Sequence, residues 1–226
     1  MLKTFPKRVL VLLAGGVLLL AGCKSSETRP DEAKAEPVLL AGHTCCNFHY
    51  NGDWINDGNY AQLAFIPAGA PIRVKSYGRY MAYVDIDGKP FRLGLDYGRS
   101  AETTEQWVAK LVVKDDPKAK LAGYPSAVRE AIQAGKLMRG MSREQVIMAV
   151  GYPMTSETPR LDAPLWKYWW SSFGRYDVYW SNGRVSKVDA HPETLAHVLA
   201  PGNAGTVPAK QEGTKRGKSS ADKSGK

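Results

Sequence analysis

The stretch Leu165-Trp-Lys-Tyr-Trp-Trp170 carries four aromatic rings in six residues, and Arg175-Tyr-Asp-Val-Tyr-Trp180 follows with three more. Residues so rich in aromatic and β-branched side chains favour extended backbone. In a strand, successive side chains point to opposite faces, so Trp166, Tyr168 and Trp170 share one face while Lys167 and Trp169 share the other. In the next strand Tyr176, Val178 and Trp180 oppose Asp177 and Tyr179. Asn182-Gly183 then supplies the residue pair that a two-residue hairpin turn demands, leading into Arg184-Val-Ser-Lys-Val188. The pattern predicts an antiparallel meander with aromatics on both faces. One face can pack under helices. The other is covered by the upstream chain or left as a partner surface, with Trp169 and Tyr179 as the candidate anchors.

The covering helices are written just upstream. In Gly140-Met-Ser-Arg-Glu-Gln-Val-Ile-Met-Ala-Val-Gly-Tyr-Pro153, Ser142 and Gln145 stand at capping-box spacing, where each satisfies a backbone N–H of the first helical turn. Gly151 suits a helix end, and Pro153 forbids continuation. Val146, Ile147 and Val150 form the stripe expected to be buried. A second helix over about 126–134 places Val128 and Ile132 on one side, with Gly135 just past its end; a third spans about 102–113 with Trp107, Val108, Leu111 and Val112. The first half alternates instead. Ile72-Arg-Val-Lys-Ser-Tyr77, Tyr80-Met-Ala-Tyr-Val-Asp-Ile86 and Phe91-Arg-Leu-Gly-Leu95 read as short strands, the last two joined through Asp87-Gly88. The fold class is therefore α+β, a small antiparallel β region followed by helices over a three-stranded antiparallel sheet.

The chain opens with Lys3, Lys7 and Arg8 around a short apolar run to Leu20, a secretory signal too short to span a bilayer comfortably. Leu20-Ala-Gly-Cys23 resembles the bacterial lipobox. That resemblance implies cleavage before Cys23 and acylation of its sulfur and amino group, an anchor made effectively permanent by several acyl chains. Lys24 after the cysteine points to the outer membrane, facing the periplasm. Residues 24–37 are polar and aperiodic, a flexible tether. The net charge of +9 sits mostly outside the predicted domain: the three cations before Cys23, and Lys210, Lys215, Arg216, Lys218, Lys223 and Lys226 against Glu212 and Asp222 near the end. The body between is close to neutral, which argues against nucleic acid as a partner, and the Gly/Ser/Lys tail has too little apolar surface to fold.

The helix phrase Gly140–Pro153 with Trp166-Lys-Tyr168 and a hairpin ending Asn182-Gly-Arg-Val185 resembles the SmpA/OmlA family, the BamE-type outer-membrane lipoprotein domain, over about residues 133–190. The resemblance implies two helices on a three-stranded sheet in the manner of the β-lactamase-inhibitor-protein (BLIP-like) fold. It also implies a non-catalytic accessory role through protein and lipid contacts at the β-barrel assembly machinery. Ile66-Pro-Ala-Gly-Ala-Pro-Ile-Arg-Val74 resembles the opening strands of bacterial SH3-like modules. This chain departs from compact family members by the β region and extra helix ahead of the domain and by the basic tail. The expected organisation is a signal peptide (1–22), a tether (23–44), a β-rich SH3-like region (45–100), helices plus meander (101–198) and a disordered tail (199–226). Two further functions stay open, an envelope ligand binder for peptidoglycan or peptide and an inhibitor of a periplasmic enzyme.

No Gly-x-Ser-x-Gly, His-Glu-x-x-His or glycine-rich phosphate loop occurs, and the paired aspartates coincide with turns, so the chain is not expected to be an enzyme or to need a cofactor. His43-Thr-Cys-Cys-Asn-Phe-His49 is the one cluster of reactive side chains. With Cys23 committed to lipid, Cys45 and Cys46 remain as an adjacent pair in an oxidising compartment. They can close a vicinal disulfide, pair with other chains, or pack as free thiols. Metal binding is disfavoured because adjacent cysteines lack the spacing of zinc knuckles.

Overall fold

The computed structural model describes residues 37–201. The signal peptide, Cys23, most of the tether and the basic tail lie outside the described residues. The elements run β1 (Leu40–Thr44), β2 (Phe48–His49), β3 (Trp54–Asn56), β4 (Phe65–Ile66), β5 (Pro71–Tyr77), β6 (Met81–Ile86), β7 (Lys89–Gly94), α1 (Thr104–Leu111), β8 (Val112–Val113), α2 (Pro117–Ala122), α3 (Ser126–Gln133), α4 (Arg143–Val150), β9 (Leu165–Trp169), β10 (Arg175–Ser181), β11 (Arg184–Ala190) and α5 (Pro192–Val198). The class is α+β. It contains an open six-stranded sheet in the order β3-β7-β6-β5-β1-β8, a three-stranded antiparallel sheet in the order β11-β10-β9, and a two-stranded pair, β2 with β4.

The β5–β6–β7 meander forms where alternation predicted it. Ile72, Val74, Ala82, Val84, Ile86 and Leu93 all turn inward, and the β6–β7 turn uses positive φ at Asp87 and Gly88. Strands β1 and β8 join this sheet from outside the expected β region, and β3 within it pairs parallel to β7, so the region is not wholly antiparallel as expected. Residues 40–44, expected as the end of the tether, are strand β1, antiparallel to β5 on one side and to β8 on the other. The helix expected to open the second domain, α1, packs Trp107, Val108 and Leu111 into the first core. Both follow from long-range pairing: Thr44 lies opposite Val112, a partner that no local pattern reveals.

The second core is built as the aromatic meander requires. Trp166, Tyr168, Tyr176, Val178 and Trp180 line the inner face of β9–β11, under Ala131, Ile132, Val146, Ala149 and Val150 from α3 and α4. Trp166 meets Trp180 edge-on at 4.6 Å, and Tyr168 stacks on Tyr176 at 5.5 Å. Arg143 lies over both tryptophan rings. The capping box forms in full: Gln145 N–H donates to Ser142 Oγ, and Ser142 N–H donates to Gln145 Oε1. A similar box of Thr103 and Gln106 starts α1. Helices α2 and α5 have no counterpart in the periodicity, being too short to show one. The buried side of α4 differs from the expected stripe: Val146 and Val150 are buried together with Met148 and Ala149, while Ile147 is half-buried. The cause is that α4 has core on two sides, and its Ile147 touches both clusters.

Candidate functional site

Thr44-Cys-Cys-Asn-Phe-His49 is buried along its whole length and passes between the two cores. Cys45 N–H donates to Leu111 O on the first-core side, and Asn47 N–H donates to Met148 O on α4. The Asn47 side chain then makes three hydrogen bonds on this path. Its Nδ2 donates to Ile132 O (2.8 Å) and Ala149 O (3.0 Å), and its Oδ1 accepts from Ala68 N–H. Asn59 repeats the device from the next loop. It adopts a positive φ, which asparagine tolerates better than most residues. Its Nδ2 donates to Asn47 O and Val150 O, and its Oδ1 accepts from His49 N–H. Two amides thereby tie the strap, α3 and α4 together through their backbone atoms.

Cys45 and Cys46 are joined to each other as a disulfide, with Cα atoms 3.8 Å apart. Cys46 is fully buried, while Cys45 borders a groove of about 480 Å³. The groove floor is Cys45, Val113, Ile147 and Met148, with Tyr152 beside them. Its rim carries Lys114 and Asp115, and an ion pair of Lys120 with Glu144 at 2.6 Å. Of the two histidines that bracket the pair, His49 faces the other way. Its Nδ1 lies 2.7 Å from Leu63 O, an acceptor, so this nitrogen carries the ring proton. Burial lowers its pKa, opposed by that hydrogen bond. No group of three or more His, Cys, Asp or Glu side chains among the described residues could hold a metal.

The other candidate is the outer face of β9–β11. Trp169 and Tyr179 are both half-buried, with Leu165 opposite Tyr179 and Arg175 opposite Trp169 across β9 and β10. The Trp169 indole N–H donates to Glu157 at 3.3 Å, and Lys187 lies over the Tyr179 ring. The upstream chain reaches this sheet at one end, where Gln62 N–H donates to Trp170 O. On this face the Lys167–Asp177 pair lies between Trp169 and the Leu165–Tyr179 pair, with Lys187 and Asp189 alongside on β11. At the β9–β10 turn, Ser171 Oγ accepts from the N–H groups of Phe173 and Gly174, and Phe173 is 97% exposed.

Sequence reasoning singled out Cys45, Cys46, Trp169 and Tyr179. The structure does not bring the two pairs together; they belong to separate surfaces. It missed Asn47 and Asn59, whose part depends on partners up to 102 residues away. The one available signal was Asn-Asp-Gly-Asn59, a turn-rich run with an asparagine able to take positive φ. Comparison with protein-family models, with curated proteins and with solved structures returned no match.

Proposed function

We propose that the protein is a lipid-anchored outer-membrane lipoprotein, held through acylated Cys23 and facing the periplasm, that serves an accessory role in β-barrel assembly or envelope integrity by docking a partner protein. The observation that carries this reading is the outer face of β9–β11. Trp169, Tyr179 and Leu165 remain partly accessible on a sheet whose opposite side is fully packed. Rigid rings bury large area at small entropic cost, and the charges of both signs set between them offer a partner polar contacts on the same face. The finer fold reading belongs to the same proposal: α3, α4 and β9–β11 as a BamE-type, BLIP-like domain, and β5–β7 as an SH3-like element carried ahead of it. No catalytic step is part of it.

The test uses the detergent-solubilised, tagged full chain and its Trp169→Ala/Tyr179→Ala variant. Co-purification of an envelope protein with the wild type, reduced at least tenfold in the variant at unchanged circular dichroism, supports the reading. Equal recovery with both chains removes this face as the docking surface. A wild type that sediments with cell-wall fragments and brings down no protein would replace the reading with peptidoglycan binding.

A further inference from the structure

The two sulfurs of the strap differ in what can reach them. Cys46 has no exposed surface and borders a cavity of about 20 Å³, room for about one water, shared with Phe48, Ile55, Trp107 and Tyr152. Cys45 borders the roughly 480 Å³ groove between β8, α2 and α4. A volume of several hundred Å³ admits a small ligand or a side chain of another protein. The rim charges, Lys114 and Lys120 beside Asp115 and Glu144, balance, so an incoming thiolate meets no net repulsion. Thiol–disulfide exchange depends on access, on which sulfur is attacked and on the leaving thiol. Here the groove decides the first two.

We propose that the groove is a thiol–disulfide exchange site for a dithiol, with Cys45 Sγ as the sulfur attacked. This is independent of the docking role assigned to the outer sheet face. A thiolate of the dithiol enters over Ile147 and Met148 and forms a bond to Cys45 Sγ. The Cys45–Cys46 bond breaks, its electron pair goes to Cys46 Sγ, and that sulfur takes a proton from water. The second thiolate of the dithiol then attacks its own partner sulfur in the mixed disulfide. That releases Cys45 as a thiolate, which is protonated in turn. In the net reaction the protein disulfide is reduced to two thiols and the dithiol is oxidised to its disulfide; the reverse sequence re-forms the bond. Cys46 leaves into apolar surroundings, which disfavour a thiolate and make the forward step slow; access through the groove, and not the leaving group, places the mixed disulfide on Cys45. The strap's hydrogen bonds to Leu111 and Met148 lie on either side, so exchange acts at the junction of the two cores.

The experiment uses 2-mercaptoethanol on the folded full chain, a monothiol whose mixed disulfide lacks the second thiol that would clear it, followed by acid quench and peptide mass mapping. The adduct is expected on Cys45. As a second measurement, Cys46→Ala leaves a Cys45 thiol that reacts with an aromatic disulfide reagent at least tenfold faster than the Cys46 thiol left by Cys45→Ala. Lys120→Trp, which places a ring over the groove, slows the first reaction and leaves the second unchanged. Adducts on Cys46, equal rates for the two single-thiol chains, or reaction only at the global unfolding rate seen by hydrogen exchange each overturn the proposal. So does an unreduced wild type whose Cys45 and Cys46 titrate as free thiols.

Discussion

Asn47 is the side chain on which most of the buried strap depends. Removing its amide leaves the Ala149 carbonyl and the Ala68 N–H without partners in a buried region, and leaves the Ile132 carbonyl with Gly135 N–H alone. Each orphaned buried group costs about 1–3 kcal/mol. Asn47→Ala should therefore lower the urea unfolding free energy by about 3 kcal/mol. Asn47→Leu, with similar volume, should recover none of it; full stability in Asn47→Leu would show that the hydrogen bonds carry no weight. His49 sets a pH dependence. Desolvation holds its folded pKa below the unfolded value of about 6.5, so the unfolded chain binds the proton more readily. The neutral ring's contribution is complete above that unfolded value and is lost as pH falls from about 6.5 through the lowered folded pKa. Urea midpoints between pH 7.5 and 5 should fall in the wild type and fall less in His49→Gln. Parallel curves would contradict the assignment.

At the scale of elements, the first sheet depends on a close approach at Gly42. A Cβ there would overlap the Val113 carbonyl of β8, the strand next to β1. Gly42→Ala should push β8 off the sheet edge at a cost of about 1–3 kcal/mol, as overpacking does elsewhere. Faster amide exchange at Cys45, whose N–H donates to Leu111 O beside β8, would report it; unchanged protection would refute it. Helix α4 gains its start from a local device. Ser142→Ala removes the acceptor for Gln145 N–H and should cost about 1 kcal/mol, read as a lower thermal midpoint.

Across the whole molecule, two hydrophobic clusters share one helix. Ile147 touches both, and the strap and Asn59 bind the same helix by backbone and amide contacts. Neither cluster can open without exposing α4, so residues 37–201 should unfold in a single transition. Chains retaining only Trp107, in the first core, or only Trp166, in the second, should give coincident urea midpoints once each is corrected for its own substitutions. Midpoints that separate would show two independent folding units. The same coupling predicts that a core change in α4, such as Val146→Ala, shifts both reporters together.

What the sequence by itself determined is local. The start of α4 was written in its capping box, the β6–β7 and β10–β11 turns in Asp87-Gly88 and Asn182-Gly183, and the inward faces of the meanders in period-two alternation. These interactions span a few residues, so the pattern alone reveals them. The candidate surfaces were legible only as residue types, since Trp169 and Tyr179 could have been covered and Cys45 and Cys46 could have paired elsewhere. Tertiary structure decided that residues 40–44 are a strand rather than tether, that α1 serves the first core, and that α4 is buried on two sides. It also converted the Cys45–Cys46 pair from a presumed boundary of the domain into a strap through its middle. The reason is physical: strand β1 finds β8 some seventy positions away, and Asn47 finds carbonyls farther still, through pairings whose geometry exists only once the chain has closed on itself.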